Sequence, residues 1–556
     1  MTSEAREVDV LVVGAGAGGM VAALAASAAG FRTLVIEKSA AFGGTTAMSG
    51  GSVWVPNAPQ IRRAGVGEDP EHLVRYLAAV AGESVAEARI RRYIEAAPQM
   101  MAFLESQSGY LRDGFAWMRG YPDYFPSRGG STLGWGLQAK PLDRRLLGDD
   151  EARLRVGMAR IPGVPRGMWI TGEDLHSINR IRWGRGAGPY RTLARLLWRT
   201  VRARTLGERM VANGAALTTR LWLALREAGV PVLLETPLRS LTVEAGRVTG
   251  VETDRTAFAA SHAVVLATGG FSHDATLRDT YQPSVPQGWS IASTDDEGDG
   301  HRAAMAIGAD VDLMDEAWWY PVAALPDGPG RSTAERQYPG QFIVGVDGRR
   351  FCNEALPYTE FGRAQIRSGN VPAWMITDDR AIRRNILFAH FPGLPLPQSW
   401  FESGLVKRAA TMQALAGEIG VSPDALWQTA ERYNGFARAG KDGDFGRGES
   451  VYENYYGNPK LPNPNLEPVG RSPFYAFALY PGDIGTNGGV VTDEDARVLA
   501  EDGNPIEGLY ACGNVSASVM GTGYAGLGAT IGAAMTYGWV AAQHVARSAL
   551  GAPVLS

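Results

Sequence analysis

Metal centres and disulfide frameworks lack their usual building blocks in this sequence. Only two of the 556 residues are cysteines, Cys352 and Cys512, and only seven are histidines. The cysteines form no spaced pair, which suits a reducing compartment. Because the histidines are scattered without an HxH or HExxH pattern, we predict no metal site.

A secretory signal and a membrane-spanning segment are also missing. Residues 1–8 are polar and acidic, without the basic stretch that opens a signal peptide. No uninterrupted apolar run reaches the roughly 18 residues that suggest a spanning helix. The formal net charge of −4 gives no general attraction to nucleic acid. We therefore expect a cytoplasmic protein with no nucleic-acid partner.

The N-terminal residues read as a strand, a glycine-rich turn, a helix and a second strand. Residues 8–13 are apolar except for one aspartate, close to the pattern of a strand buried on both faces. The turn GAGAGG follows at 14–19, then an alanine-rich helix at 20–29. A second strand at 33–36 comes next, and Glu37 directly follows it. This order is the βαβ fingerprint of dinucleotide-binding proteins.

Each part of the fingerprint has a predicted task. Gly14 makes the tight turn, Gly16 lets the backbone approach a pyrophosphate, and Gly19 lets helix and strand pack closely. The helix N-terminus directs N–H groups and a positive dipole at the phosphates. Glu37 is placed to accept hydrogen bonds from a ribose.

Later segments extend this pattern. The run GGTTAMSGG at 43–51 consists mostly of small residues and hydroxyls that suit an extended cofactor. Residues 241–252 read as a β-hairpin around Gly246, and the apolar strand at 263–268 runs into a glycine turn. A helix beginning at Gly528 offers the positive end of its dipole, which could receive negative charge on a bound cofactor.

These segments resemble the fumarate reductase and succinate dehydrogenase flavoprotein superfamily, over most of the chain. The resemblance implies an α/β protein with a Rossmann-like FAD-binding domain built from both chain ends and an inserted α+β catalytic or capping domain. The implied boundaries are 1–310 and 483–556 for the FAD-binding domain and 311–482 for the capping domain. Members with covalent FAD carry a histidine where Gly44 stands here, so non-covalent FAD is expected.

The cofactor-binding residues implied by this resemblance lie in and beside these segments. They are Gly14, Gly16, Gly19, Glu37, Lys38, Gly44, Thr45, Thr46, Ser49, Gly50, Gly51, Leu238, Ala267, Thr268, Gly269, Asp299, Gly513, Asn514, Gly528, Ala529, Thr530 and Ile531.

Three tyrosines stand in contexts that indicate chemistry. Tyr524 lies in GTGYAGLG, four residues before Gly528, so a phenol and a backbone N–H could grip one carbonyl oxygen. Tyr358 ends the run NEALPY, and Tyr124 lies in DYFP. Tyr121 competes with Tyr124 for the third place.

This set resembles the 3-ketosteroid Δ1-dehydrogenases, whose tyrosine motifs match these positions. The resemblance implies that Tyr524 and the Gly528 N–H hold the C3 carbonyl of a 3-ketosteroid. Tyr358, as a phenolate or nearly so, then removes a C2 proton, with Tyr124 as its relay partner, and the flavin accepts the C1 hydride. An unidentified acceptor, with a quinone as one candidate, reoxidises the flavin.

Three other functions stay open on the sequence alone. A Δ4-dehydrogenase of 3-keto-5α-steroids would carry a serine in place of Gly526. A fumarate-reductase-like reductase of an unsaturated acid would need an arginine proton donor. A flavoprotein with structural FAD would bind a partner through a basic arm.

Such an arm lies in an arginine-rich insertion at about 145–212. Between Arg153 and Arg209 the sequence has thirteen arginines and three acids. An apolar helical stripe lies opposite four of the arginines. The stripe is Leu193, Leu196, Leu197 and Val201, and the arginines are Arg191, Arg195, Arg199 and Arg202. The segment is interpreted either as a patch lying on anionic lipid, which would make the protein peripherally membrane-associated, or as a solvated arm or oligomer contact.

Overall fold

The structure is a computed structural model that describes residues 6–156, 170, 171, 174, 177, 188–326, 328–331, 335–388, 390 and 392–551. Much of the arginine-rich insertion, including residues 157–169, lies outside the described residues.

The strands are numbered along the described chain. They are β1 (Arg6–Val13), β2 (Thr33–Ile36), β3 (Ser52–Trp54), β4 (Phe115–Trp117), β5 (Gly136–Ala139), β6 (Leu142–Asp143), β7 (Met210–Val211), β8 (Val232–Leu233), β9 (Leu238–Glu244), β10 (Arg247–Thr253), β11 (Ala257–Leu266), β12 (Val311–Asp312), β13 (Ala317–Leu325), β14 (Gly328–Arg331), β15 (Gln341–Val344), β16 (Ala373–Asp378), β17 (Val406–Ala409), β18 (Phe474–Thr486), β19 (Gly489–Val490), β20 (Arg497–Leu499) and β21 (Pro505–Ala511).

The α-helices are numbered in the same way. They are α1 (Ala17–Ala28), α2 (Gly44–Met48), α3 (Pro59–Arg63), α4 (Pro70–Ala81), α5 (Glu87–Gln107), α6 (Gly109–Arg112), α7 (Gly188–Leu206), α8 (Asn213–Glu227), α9 (Ala275–Tyr281), α10 (Asp299–Met305), α11 (Tyr358–Arg367), α12 (Asp379–Ile382), α13 (Gln398–Glu402), α14 (Met412–Ile419), α15 (Pro423–Ala439), α16 (Val451–Asn454) and α17 (Ala529–Leu550).

The largest sheet takes strands from both ends of the chain. β1 lies parallel between β11 and β2, β2 continues to β8, and β11 pairs in parallel with β21. β9 and β10 form the predicted antiparallel hairpin. Helices and a largely parallel sheet together make the chain α/β, as the sequence predicts.

The glycines of α1 and α17 explain why these two helices cross closely beside the sheet. A Cβ on Gly18 would lie 2.9 Å from the carbonyl oxygen of Ala534, and one on Gly538 would lie 2.3 Å from that of Gly18. Only residues without side chains allow the two backbones to approach so far. The close approach joins the first turn of α1 to the second and third turns of α17.

A second, antiparallel sheet of six strands lies in the middle of the chain. Its order is β14-β13-β18-β16-β15, with β17 paired to β18. Apolar clusters cover it, one including Phe342 and Leu415 and another including Phe361 and Phe477. β18 runs across the boundary predicted at 482.

The apolar residues of the stripe predicted for α7 differ in their exposure to solvent. Leu196 is buried, whereas Leu197 is 64% exposed and Val201 is 52% exposed. Two of the arginines expected opposite the stripe, Arg195 and Arg199, form ion pairs with the buried carboxylate of Asp174. Among the described residues, no helix is long and apolar enough to cross a membrane.

Candidate active site

Three tyrosines that are far apart in the sequence meet in the structure. The ring centroids of Tyr124 and Tyr358 lie 5.6 Å apart, those of Tyr124 and Tyr524 lie 5.4 Å apart, and those of Tyr358 and Tyr524 lie 5.1 Å apart. All three side chains are buried, and the rings of Tyr124 and Tyr524 both contact that of Tyr358. We call these residues the tyrosine cluster.

Tyr121, the competitor for the third place, lies one step further out. Its ring centroid is 6.3 Å from that of Tyr124 and 4.6 Å from that of Tyr455. The structure therefore favours Tyr124 as the residue that contacts both other members of the cluster.

A buried polar network holds the loop that leads to Tyr358. The guanidinium of Arg336 donates to the carbonyl oxygens of Glu354, at 2.6 Å, and Leu356, at 3.1 Å. The Glu354 carboxylate forms an ion pair of 2.7 Å with Arg350. Because both charges of the pair are buried, removing either would leave an uncompensated charge. The network places Tyr358 at the first residue of α11.

Tyr524 lies in the turn that precedes α17. Its hydroxyl is 3.3 Å from the Thr530 hydroxyl, and the backbone of Gly528 and Thr530 lowers the pKa of the phenol. Gly528 has a φ of 88°, and a Cβ there would lie 2.3 Å from the carbonyl carbon of Ser52. Glycine is therefore required for this turn to approach the backbone of β3.

Burial governs the acidity of the tyrosine cluster. It raises the pKa of Tyr358 and Tyr124 well above 10, because a phenolate loses its hydration there. Burial also raises the pKa of Tyr524, against hydrogen bonds from Thr530 and Tyr358 that lower it. This direction opposes the near-phenolate form predicted for Tyr358. Any lowering has to come from hydrogen bonds and from the positive end of α11.

The glycine-rich turn has the close contacts that its sequence predicts. Gly14 has a φ of 113°, and a Cβ there would lie 2.3 Å from the carbonyl oxygen of Ala267. A Cβ on Gly19 would lie 2.0 Å from the carbonyl oxygen of Gly14. Around Gly16, by contrast, the nearest atom is the Thr46 hydroxyl at 3.9 Å. The backbone of Gly16 is therefore open to a ligand.

Three charged residues that are predicted to bind cofactor have partners within the protein. Glu37 accepts hydrogen bonds from the backbone N–H of Ala15, at 2.8 Å, and Ser39, at 2.9 Å. Burial raises the pKa of the Glu37 carboxyl. Lys38 and Asp299, both predicted to bind cofactor, form an ion pair of 2.7 Å with each other.

The segment 43–51 lies against the same turn. Ala17 donates its backbone N–H to the Thr46 hydroxyl at 3.3 Å, and the Ser49 hydroxyl accepts from the Gly51 N–H at 3.0 Å. A Cβ added at Gly44 or at Gly50 would meet nothing within 4 Å. We call the turn at 14–19, this segment and residues 267–270 the glycine cradle.

Asp296 also belongs to this region and is not among the residues predicted from the sequence. Its carboxylate accepts from the Thr45 hydroxyl at 2.9 Å, and a Cβ on Gly269 would lie 2.6 Å from it. Burial raises the pKa of Asp296 to about 7. The acidic run TDDEGDG around Asp296 was the available signal, but sequence gives no measure of burial for one acid among several.

The remaining predicted residues lie in several elements. The Thr268 hydroxyl is buried and makes no hydrogen bond within the described chain, and the Asn514 amide oxygen accepts from Trp318 at 3.4 Å. Gly513 and Thr530 line one small cavity together with Asn514. Ala529, Thr530 and Ile531 form the first turn of α17. Leu238, the first residue of β9, has its side chain buried in an apolar core cluster.

Known proteins resemble this chain over nearly its whole length. Residues 9–531 match the model of the FAD binding domain family. The chain is 41% identical to a 3-oxosteroid 1-dehydrogenase of Mycolicibacterium smegmatis, with 98% of both proteins covered. It is 35% identical to a 4-oxocyclohexanecarboxylate 2-dehydrogenase of Sinomonas cyclohexanicum, with 98% of this chain and 93% of that protein covered.

A solved structure extends the likeness to three dimensions. The 3-ketosteroid delta1-dehydrogenase of Sterolibacterium denitrificans, in complex with 1,4-androstadiene-3,17-dione, matches with a TM-score of 0.91 and 38% identity. The match covers 98% of this chain and all of that one.

Proposed function

The chain belongs to the FAD-binding family that includes the 3-oxosteroid 1-dehydrogenases, and we propose that it dehydrogenates the C1–C2 bond of 3-ketosteroids. The reaction converts a 4-ene-3-one to a 1,4-diene-3-one. The observation that carries the proposal is the meeting of Tyr124, Tyr358 and Tyr524 beside the backbone of Gly528.

The glycine cradle fits FAD. The open backbone at Gly16 lies at the N-terminus of α1, where phosphates are favoured by free N–H groups and the helix dipole. The unpartnered Thr268 hydroxyl and the open positions at Gly44 and Gly50 offer further contacts to an extended ligand. Glu37 serves the ribose. FAD, when bound, supplies the two-electron acceptor for the hydride.

The domain arrangement follows from the same proposal. A Rossmann-like FAD-binding domain comprises 1–310 and 483–556, and the capping domain comprises 311–482. Support comes from the large sheet, which joins β1 and β2 to β21, and from the six-stranded sheet between them.

The residues of the tyrosine cluster have different roles in the proposed reaction. Tyr524 and the Gly528 N–H donate to the C3 carbonyl oxygen, and this grip strengthens as the oxygen gains enolate charge. Tyr358 takes the C2 proton made acidic by that grip. Its phenolate is favoured by the hydrogen bond with Tyr124 and by the N-terminus of α11, which offset part of the cost of burial.

Product analysis separates this proposal from its rivals. Purified enzyme with an artificial electron acceptor should turn androst-4-ene-3,17-dione into the 1,4-diene, identified by mass and ultraviolet absorption. Conversion of a 5α-3-ketone only to the 4-ene would favour a Δ4-dehydrogenase. Rapid reduction of fumarate, without steroid turnover, would favour the unsaturated-acid reductase.

A second substrate class has one specific observation in its favour. The 35% identical relative is named for 4-oxocyclohexanecarboxylate, another ring ketone. The same donors and base would serve such a ketone, but its carboxylate would need a cation at the open end of the site. Turnover of 4-oxocyclohexanecarboxylate with a higher kcat/KM than the steroid would move the assignment to this class.

The FAD is bound non-covalently in this proposal, because Gly44 offers no side chain for attachment. Acid precipitation should release all the yellow colour into the supernatant. Colour that stays with the precipitated chain would contradict the role assigned to Gly44.

The exposed side of α7 is proposed to rest on anionic lipid. Leu197, Trp198 and Val201 are more than half exposed, and Arg191 and Arg202 of the same helix are exposed as well. A lipid-soluble acceptor such as a quinone would be available at that surface. Co-sedimentation with anionic vesicles should be strong at low salt and weaken as salt screens the arginines. Absence of binding at low salt would leave the solvated-arm and oligomer interpretations.

A further inference from the structure

A buried carboxylate lies beneath the turn that carries Tyr524. Asp123 is 1% exposed. Its two oxygens accept from the Trp54 indole N–H, at 2.9 Å, and from the Ser131 backbone N–H, at 3.0 Å. Burial raises the pKa of Asp123 to about 7, against these hydrogen bonds, which lower it. An acidic side chain buried at the cost of its hydration indicates a specific role.

Two backbone hydrogen bonds hold the turn 524–528. Trp54 donates its backbone N–H to the Gly528 carbonyl oxygen at 3.1 Å. Tyr124 donates its backbone N–H to the Ala525 carbonyl oxygen, also at 3.1 Å. Asp123 is therefore hydrogen-bonded to one residue that holds the turn and adjacent in sequence to the other.

Gly526 fits directly on the Asp123–Trp54 pair. A Cβ at Gly526 would lie 2.6 Å from the Asp123 carboxylate oxygen and 2.6 Å from the Trp54 indole nitrogen. The turn therefore rests on this hydrogen-bonded pair with no room for a methyl group. Any change in the geometry of the pair is transmitted to the residues on either side of Gly526.

We infer that Asp123 is a positioning residue that, through Trp54, sets the location of the Tyr524 phenol and the Gly528 N–H. The inference rests on the proposed function, in which these two donors hold the substrate carbonyl. Oxyanion donors act over a narrow range of distances, and their contribution grows mainly in the transition state. Displacing the turn should therefore lower kcat with little effect on substrate binding.

Asp123→Asn tests the inference with the flavin-loaded enzyme. The amide keeps an acceptor for Trp54 but turns an NH₂ group toward the Ser131 N–H, so the pair must shift. We expect normal FAD content, a nearly unchanged dissociation constant for the 4-ene-3-one, and a kcat reduced by about 10- to 100-fold. Asp378→Asn is the matched control, because Asp378 is also buried and accepts from backbone N–H groups, but at the start of α12.

An ultraviolet spectrum of a bound ligand tests the two donors, Tyr524 and the Gly528 N–H, directly. A steroid with a phenolic A ring mimics the enolate, since its phenolate oxygen takes the place of the oxyanion. The ultraviolet phenolate band of this bound ligand should be weaker in Asp123→Asn than in the wild type and unchanged in Asp378→Asn. Gly526→Ala, which displaces the turn while leaving Asp123 in place, should reproduce the Asp123→Asn result.

The two proposals fail in different ways. A wild type that makes no product from any 3-ketosteroid contradicts the proposed function, and the phenolate band then still decides the role of Asp123. Equal phenolate bands in Asp123→Asn and the wild type, or a kcat loss matched by Asp378→Asn, would overturn the positioning role.

Discussion

The tyrosine cluster and the glycine cradle are built in opposite ways. In the tyrosine cluster the groups proposed to act are side-chain hydroxyls, packed ring against ring and buried. In the glycine cradle they are mainly backbone N–H groups, which become accessible because side chains are missing at Gly14, Gly16 and Gly19. One region is therefore sensitive to the loss of a single oxygen, and the other to the gain of a single methyl group.

The largest effect is expected from a methyl group in the cradle. In Gly19→Ala the new Cβ would meet the Gly14 carbonyl oxygen at 2.0 Å, so the turn and α1 must separate. We expect a loss of at least about 1–3 kcal/mol of stability and a colourless protein. Thermal unfolding and the flavin absorbance of the purified variant measure both effects.

Gly16→Ala is the matched control in the same turn. Its Cβ meets only the Thr46 hydroxyl, at 3.9 Å, so the FAD-free protein should unfold at the wild-type temperature. FAD affinity should nevertheless fall by about 10- to 100-fold, since the methyl group displaces a charged hydrogen-bond partner of the backbone. A normal FAD affinity in Gly16→Ala would contradict the proposal that the Gly16 backbone contacts FAD.

The next largest effect belongs to the carbonyl grip. Tyr524→Phe keeps the ring and removes one donor, so turnover of a 3-ketosteroid should fall by about 10²- to 10³-fold, with a much smaller change in binding. Steady-state rates and ligand titration of the flavin spectrum separate the two quantities. Tyr433→Phe, at a ring that packs on Phe342 in a different apolar cluster, should behave as the wild type.

Tyr358→Phe addresses the base. FAD content should persist while turnover drops by about 10²-fold, because the ring remains and only the ionisable hydroxyl is lost. Turnover is measured on protein whose flavin content has been normalised. A flavin-loaded variant with near-normal turnover would remove Tyr358 from the proposed mechanism.

Smaller effects should follow the order of distance from Tyr358. Tyr124 contacts Tyr358 directly, whereas Tyr121 contacts Tyr124. Tyr124→Phe should therefore lower turnover less than Tyr358→Phe does, and Tyr121→Phe should lower it least. A larger loss of turnover in Tyr121→Phe than in Tyr124→Phe would show that Tyr121, and not Tyr124, is the relay.

The same contrast explains how much of the molecule could be predicted from sequence. Most of the glycine cradle could be, because its turn, β1, α1, β2 and the segment 43–51 all lie within residues 6–51. Only residues 267–270 come from a distant strand. β2 was predicted at the bounds observed, Thr33–Ile36, and β1 and α1 within a few residues. Local patterns of apolar and small residues are sufficient for such elements.

The tyrosine cluster required contacts between distant segments, which no local pattern encodes. Its members were identified by resemblance, and only the structure distinguishes Tyr124 from Tyr121. The support beneath it was missed altogether: Asp123 and Trp54 are ordinary residues in the sequence, and their pairing depends on the packing of β3 against a remote loop. On α7, the periodicity located the helix but could not tell that Leu196 faces inward while Leu197 is exposed.

The most direct test of the central claim is a single anaerobic mixing experiment. Flavin-loaded protein is combined with androst-4-ene-3,17-dione, and the flavin absorbance and the steroid product are followed together. If the tyrosine cluster and the bound FAD act on one substrate, the yellow colour should bleach, and one equivalent of the 1,4-diene should form per flavin. A flavin that stays oxidised with 3-ketosteroids, in protein that binds them, would contradict the proposed function.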